Sequence, residues 1–319
     1  MGAATKERFN VHGSPELTAR LDRDAEMVGS SRAVNMWRKA VITDRTMQAL
    51  PASWRVPDWP APPNVHAVCT TRTGGASQPP YDSLNLGDHV GDAPADVARN
   101  RAALQSALGA RPVFLQQVHD TLAVELSAAT PDGTQGDAAV TTERGLACTI
   151  MVADCLPVLF TDTQGRAVAA AHAGWRGLAG TGAGAKPGAR GVLESVFESF
   201  SALSPVRRSK FAIENIEDET LVWLGPCIGP QAFEVGAEVR AAFVAHDPRA
   251  ASLFRPHGDG KYLADLAGLA RQRLHALGIT RIYGNDSTAP WCTVGNPSRF
   301  FSHRRDRVSG RFAACIWRG

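Results

Sequence analysis

Residues 151–177 read MVADCLPVLFTDTQGRAVAAAHAGWRG. Apolar runs at 156–160 and 168–171 flank a polar turn at 162–165, a pattern that predicts a strand, a tight turn and a returning strand. Asp154 and Cys155 break the apolar text before the first of these strands, and His172 ends the second. Reactive side chains therefore stand where a sheet presents them at its rim. Thiolate sulfur and imidazole nitrogen are the two side-chain donors that bind zinc best. The hairpin offers two such donors and leaves a third to be supplied from elsewhere.

Upstream of this stretch, strand-like text covers 65–71, 112–118, 122–126, 136–141 and 146–152. Between the first two of these lies a helix that opens at Gly91-Asp92-Ala93-Pro94. Asp92 stands where a cap belongs and Pro94 in the first turn, and Val97, Leu104 and Leu108 keep helical spacing until Gly109. Downstream, residues 178–190 form a small-residue loop, and Val192, Leu193, Val196, Phe197, Phe200 and Leu203 mark an amphipathic helix. A charged insertion at 207–219 reads as solvated surface. A strand at 221–224 then runs into the rigid turn Gly225-Pro226-Cys227-Ile228-Gly229-Pro230. Helices are expected at 236–245 and 263–277, and short strands at 281–283 and 312–317. Strands do not alternate strictly with long helices, and no internal repeat, dinucleotide-binding fingerprint or P-loop is present. The pattern predicts an α+β domain with mixed or antiparallel sheets flanked by helices.

With 44% hydrophobic residues in 319, the chain has enough apolar material for a sizeable core, which excludes disorder as its general state. A formal charge of +3 gives no reason to invoke nucleic acid or a membrane as partner. Six cysteines without a C-x-x-C, and no secretory signal or spanning apolar run, point to a reduced, cytoplasmic protein. Cys148 and Cys315 lie in apolar runs and read as small core residues. Residues 1–46 mix charge, Gly, Ser and Thr, with one weakly helical patch at 17–27, and are expected to be a poorly ordered extension. Met47 is a plausible alternative translation start, and 47–319 is expected to form a single catalytic domain.

His119, Cys155 and His172 each follow an apolar strand-like run. Three protein ligands with the fourth position open is the catalytic form of zinc site, whereas four make a closed structural one. Their separations of 36 and 17 residues are far from any compact zinc-finger spacing, so spacing alone leaves the site open. Arg72-Thr73-Gly74-Gly75 could present backbone N–H groups and a guanidinium to one anion, or could be a Gly-Gly turn with a solvated Arg.

The blocks TRTGGAS, SLNLGDHVGD with NR following, LQQVH, ADCLPVLF, HAGWRG, GPCIGPQAFEVG, and FFSHRRD followed by GR lie in order between about residue 65 and Arg311. Together they resemble the laccase-domain-containing, YfiH-like family. The resemblance implies a single α+β domain of the type shared with cysteine hydrolases, with zinc held by His119, Cys155 and His172. It also implies one of three activities: polyphenol oxidation, purine nucleoside phosphorolysis with adenosine deamination, or peptidoglycan editing. This chain departs from the family's usual text at Gln231-Ala232, where members often carry cysteine, and in loops at 180–191 and 207–219 that look longer than usual.

Laccase chemistry needs a blue copper and a trinuclear cluster with many imidazoles, mostly in His-x-His pairs. This chain has nine His and no His-x-His, so copper is the less favoured metal. Zinc lowers the pKa of water to roughly 7 and suits attack at C6 of adenine, with Asp154 as proton shuttle or, equally, as a turn cap. Phosphorolysis needs phosphate held beneath ribose C1′ by fixed cations. Arg72, Arg176, Arg304 and Arg305 are the candidates, with Arg176 and Arg72 favoured. Asn85 either hydrogen-bonds the nucleoside or holds its own turn, and Trp175 either stacks on a purine or packs inward. The implied partners are a purine nucleoside and phosphate, with the chain a monomer or homodimer. The rivals are a Cys-His hydrolase using Cys155 as nucleophile and His172 as base on a cell-wall precursor amide, and a zinc-stabilised binding protein.

Overall fold

Residues 151–177 join two sheets rather than lying in one. The computed structural model describes residues 50–181, 190–204 and 215–319, and its elements in chain order are β1 (Val65–Cys69), α1 (Pro94–Leu108), β2 (Arg111–Phe114), β3 (Ala123–Glu125), β4 (Ala138–Thr141), β5 (Leu146–Val152), β6 (Leu156–Asp162), β7 (Val168–Ala173), α2 (Trp175–Ala179), α3 (Val192–Leu203), α4 (Ile216–Glu219), β8 (Thr220–Leu224), β9 (Glu234–Val235), α5 (Ala237–His246), β10 (Phe254–Pro256), β11 (Tyr262–Ala264), α6 (Leu266–Ala276), β12 (Ile282–Gly284), α7 (His303–Asp306) and β13 (Phe312–Arg318). One sheet runs β1-β13-β5-β2, a larger one β12-β8-β6-β7-β4-β3, and a small one β10-β11-β9. Both larger sheets are mixed: β2 is parallel to β5, β3 to β4 and β12 to β8, while the other neighbours are antiparallel.

The two larger sheets pack face to face, and period-2 alternation sorts each strand's side chains between two cores. On β13, Phe312, Ala314 and Ile316 enter the layer between the sheets, while Ala313, Cys315 and Trp317 face outward against Leu104 and Leu108 of α1. On β6, Leu159 points into the inter-sheet layer, and Leu156, Val158 and Phe160 point outward to α3 and α6. Helices thus cover the outer faces of both sheets. Double coverage explains why β5, β6 and β7 are buried at every position and read as unbroken apolar runs instead of alternating ones.

Residues 153–155 carry the chain from β5 in one sheet to β6 in the other, and Asp154 makes the corner at φ +93°. The chain then returns through the β6–β7 hairpin, with Pro157 paired to His172 and Leu156 to Ala173. This mixed α+β architecture is the one the sequence predicts. Two local expectations change. Leu263 belongs to β11 rather than to the helix, which Asp265 opens by accepting the Gly268 N–H. Asp92 is not the cap of α1: Ala93 is, and the Asp92 carboxylate accepts from Ser77 Oγ and Asn85 Nδ2 instead. Residues 1–46, with the patch at 17–27, and much of the loops at 180–191 and 207–219 lie outside the described residues.

Candidate metal centre

At the end of the sandwich where the corner lies, three donors converge. Among the described residues, His119, Cys155 and His172 form a group whose ligand atoms all lie within 4.8 Å of one another. Cys155 Sγ is 3.7 Å from His119 Nε2, and the two imidazoles meet edge to face with centroids 4.7 Å apart. His172 is buried on β7, Cys155 is half-buried at the corner, and His119 is exposed. β2 ends at Phe114, so His119 lies not at a strand end but in the loop beyond it, at φ +62°.

Asp137 explains how a loop histidine is held in that conformation. Its carboxylate accepts the consecutive backbone N–H groups of Val118, His119 and Asp120 at 3.1, 2.9 and 2.9 Å. The same carboxylate accepts from His172 Nδ1 at 2.8 Å, which leaves His172 Nε2 as the donor to the site. Wholly buried, Asp137 thereby positions two of the three donors. A carboxylate behind a metal-binding histidine is the usual second layer of a zinc site. Gly174, directly after β7, is the other local requirement: a Cβ there would lie 2.9 Å from His119 Cδ2 and 3.0 Å from Cys155 Sγ.

The charges reinforce this geometry. Burial pushes the Cys155 thiol up, but the His172 charge and hydrogen bonds from both imidazoles outweigh it and bring the thiol down to about 6. Burial opposes the charge on His172, yet the Cys155 thiolate and Asp137 raise it to about 9. Burial likewise opposes ionisation of Asp137, and its bonds from His172 and the loop N–H groups hold it below the ordinary carboxylate range.

The remaining candidates from the sequence are distributed as follows. Asp154 adjoins Cys155; Thr293 Oγ1 donates to its Oδ1 and the Arg304 N–H to its Oδ2, each at 2.6 Å. The Arg72 guanidinium is tied to Asp82 and to the Pro297 carbonyl, over the Phe301 ring. Arg304 donates to the Ala232 and Glu234 carbonyls, and Arg305 to Asp306 and to the Thr293, Val294 and Phe300 carbonyls. Asn85 is buried, with its side chain bonded to Gly87, Asp92 and the Arg311 N–H. Trp175 packs against the core, and the exposed Arg176 lies 4.5 Å over its ring.

Two further residues at the site have no place in the reading from spacing. Asp137 sits inside an apolar strand segment, and only its burial and four bonds reveal it. Arg311 is subject to the charges of Cys155 and Asp154, and was visible only as the second letter of the terminal GR.

Fold and site together define an α+β protein in which, among the described residues, an open three-donor group that could hold a metal lies at the shared end of two packed sheets. Residues 66–319 match the family model described as Multi-copper polyphenol oxidoreductase laccase. The chain is 48% identical over 267 residues to a Pseudomonas aeruginosa protein named purine nucleoside phosphorylase, covering 83% of this chain and 98% of that one. It is also 48% identical over 264 residues to Escherichia coli purine nucleoside phosphorylase YfiH, covering 82% and 97%. Among solved structures, Neisseria meningitidis protein NMB0706 superposes with TM-score 0.72 at 44% identity, covering 83% of this chain and 99% of that one. YlmD from Geobacillus stearothermophilus gives TM-score 0.73 at 29% identity, covering 86% and 98%. The chain belongs to this YfiH-like laccase-domain family.

Proposed function

We propose that the protein is a cytoplasmic, zinc-dependent purine nucleoside phosphorylase acting on adenosine, inosine and methylthioadenosine, and that the same site deaminates adenosine. The observation that carries this reading is the open His119–Cys155–His172 group backed by buried Asp137, in a chain half identical to proteins named purine nucleoside phosphorylase. Two imidazoles, one thiolate and a second-layer carboxylate fit zinc in its catalytic form. When bound, zinc would supply Lewis-acid polarisation and lower the pKa of water. Copper would also find donors here, but one group of three serves no multicopper route.

In phosphorolysis a phosphate oxygen bonds to ribose C1′ as the C1′–N9 bond breaks. The bonding pair leaves with the purine, which takes the proton that hydrogen phosphate gives up. In deamination a water oxygen bonds to C6 as the C6–N6 bond breaks; the amino group takes one of the water's protons and leaves as ammonia, and the other proton ends on N1 of the inosine formed. Asp154, fixed by two donors, keeps lone pairs free for proton transfer. Val118 and Leu122, exposed on the loop that bears His119, offer apolar surface to a purine face. Arg176, unlike Arg72 and Arg305, has no ion pair or hydrogen bond from its guanidinium among the described residues, and is free to meet an anion.

Zinc-loaded protein incubated with adenosine, inosine and methylthioadenosine, with and without phosphate, is expected to release purine base only with phosphate, and inosine from adenosine without it. Absence of any such product would sink the reading. The Cys155–His172–Asp137 chain favours one second reading: a hydrolase with Cys155 attacking a cell-wall precursor amide. It predicts a trappable acyl-enzyme at Cys155 in metal-free protein.

A further inference from the structure

A phosphorylase must hold a dianion beside its metal, yet three of the four arginines suggested by the sequence have guanidiniums engaged by the protein itself. Arg311 is placed differently. Its Nη1 donates to the carbonyls of Ser309 and Gly310 at 2.8 and 3.0 Å, while its Nε and Nη2 make no hydrogen bond among the described residues. It has no ion pair among those residues, although it is half-buried. The next residue, Phe312, pairs with Val152, the last residue of β5 before the corner at 153–155, so Arg311 stands beside the strap that carries Asp154 and Cys155; burial opposes its charge and those two side chains favour it.

The surrounding backbone is built to hold this side chain in place. Asn85 Oδ1 accepts the Arg311 N–H at 2.8 Å, and the Leu86 N–H donates to the Arg311 carbonyl at 3.0 Å. Gly87 would put a Cβ only 2.8 Å from Arg311 Cγ, so glycine is needed there for the arginine stem to pass. A guanidinium fixed through one nitrogen, with two others unengaged, matches the fork by which arginine grips a phosphate through two N–H donors. Arg311 also acts on His89, whose imidazole is pushed toward the neutral form by burial and by the Arg311 charge, so it offers the guanidinium no counter-charge.

We propose that Arg311 is the phosphate-holding cation of this site and that Asn85 positions it, an inference that rests on the phosphorolysis reading. In zinc-loaded protein, R311Q is expected to raise the KM for phosphate about tenfold or more, with the KM for inosine and the zinc content close to wild type. R311K, which keeps the charge but not the fork, is expected to fall between the two; it also serves if R311Q does not fold. Binding of inorganic phosphate alone to zinc-loaded protein, measured by calorimetry, separates the two levels of the reading. Arg311-dependent phosphate binding without base release retains the inference and overturns phosphorolysis. Wild-type phosphate affinity in R311Q, or a rise in phosphate KM confined to R176Q, overturns the inference.

Discussion

On the zinc reading proposed above, Asp137 is the residue on which the metal centre most depends without being a ligand. By fixing the His172 tautomer and the His119 loop it prearranges two donors, and loss of such a partner typically lowers metal affinity about 10–100-fold. D137N is therefore expected to weaken zinc by that factor in a chelator competition, with little change in fold. The charge arrangement adds a second expectation at this scale. At pH 7.5 Cys155, at about 6, is already a thiolate, and His172, at about 9, still carries its extra proton. Zinc must displace the His172 proton and none from Cys155, so binding should release about one proton. Calorimetry in buffers of different ionisation enthalpy measures this, and the release should fade as pH rises past 9.

At the scale of elements, Gly174 ends β7 where no side chain fits between His119 and Cys155. Overpacking of this kind costs about 1–3 kcal/mol, and here the atoms that must yield are ligands. G174A is expected to retain its far-UV circular dichroism while losing zinc affinity at least about tenfold. Much of the element structure was legible in sequence because burial on both faces writes long apolar runs: β5 and α3 have the bounds that the text implies. The small β9-β10-β11 sheet was not, since its strands run only two or three residues and β9 pairs with β11 across a large gap in sequence. Leu263 was absorbed into helical spacing for the same reason. The three donors could be picked out as chemistry at run ends, but Asp137 could not. Its partners lie 17–19 and 35 residues away, and nothing local marks an aspartate as buried.

For the whole molecule, the difference between loop and core ligands becomes a difference in stability. H119A removes an exposed side chain and is expected to abolish activity while leaving the thermal midpoint of the metal-free protein nearly unchanged. H172A leaves the buried Asp137 carboxylate without its cationic partner, a change that typically costs about 3–5 kcal/mol, and the midpoint should fall clearly. We also propose that residues 47–319 suffice for folding and activity. A chain beginning at Met47 should match the full-length protein in zinc content and turnover.

The corner at residues 153–155 has one more consequence. His119 follows the smaller of the two packed sheets, His172 belongs to the larger, and Cys155 lies on the strap between them. An ion held by all three is a rivet through the mouth of the sandwich, and its effect is on time as well as on energy. Stripping the metal should quicken amide hydrogen exchange around 117–120, 155–157 and 172–174, while the amides at the far ends of β5 and β13, 146–148 and 315–317, keep their slow clock.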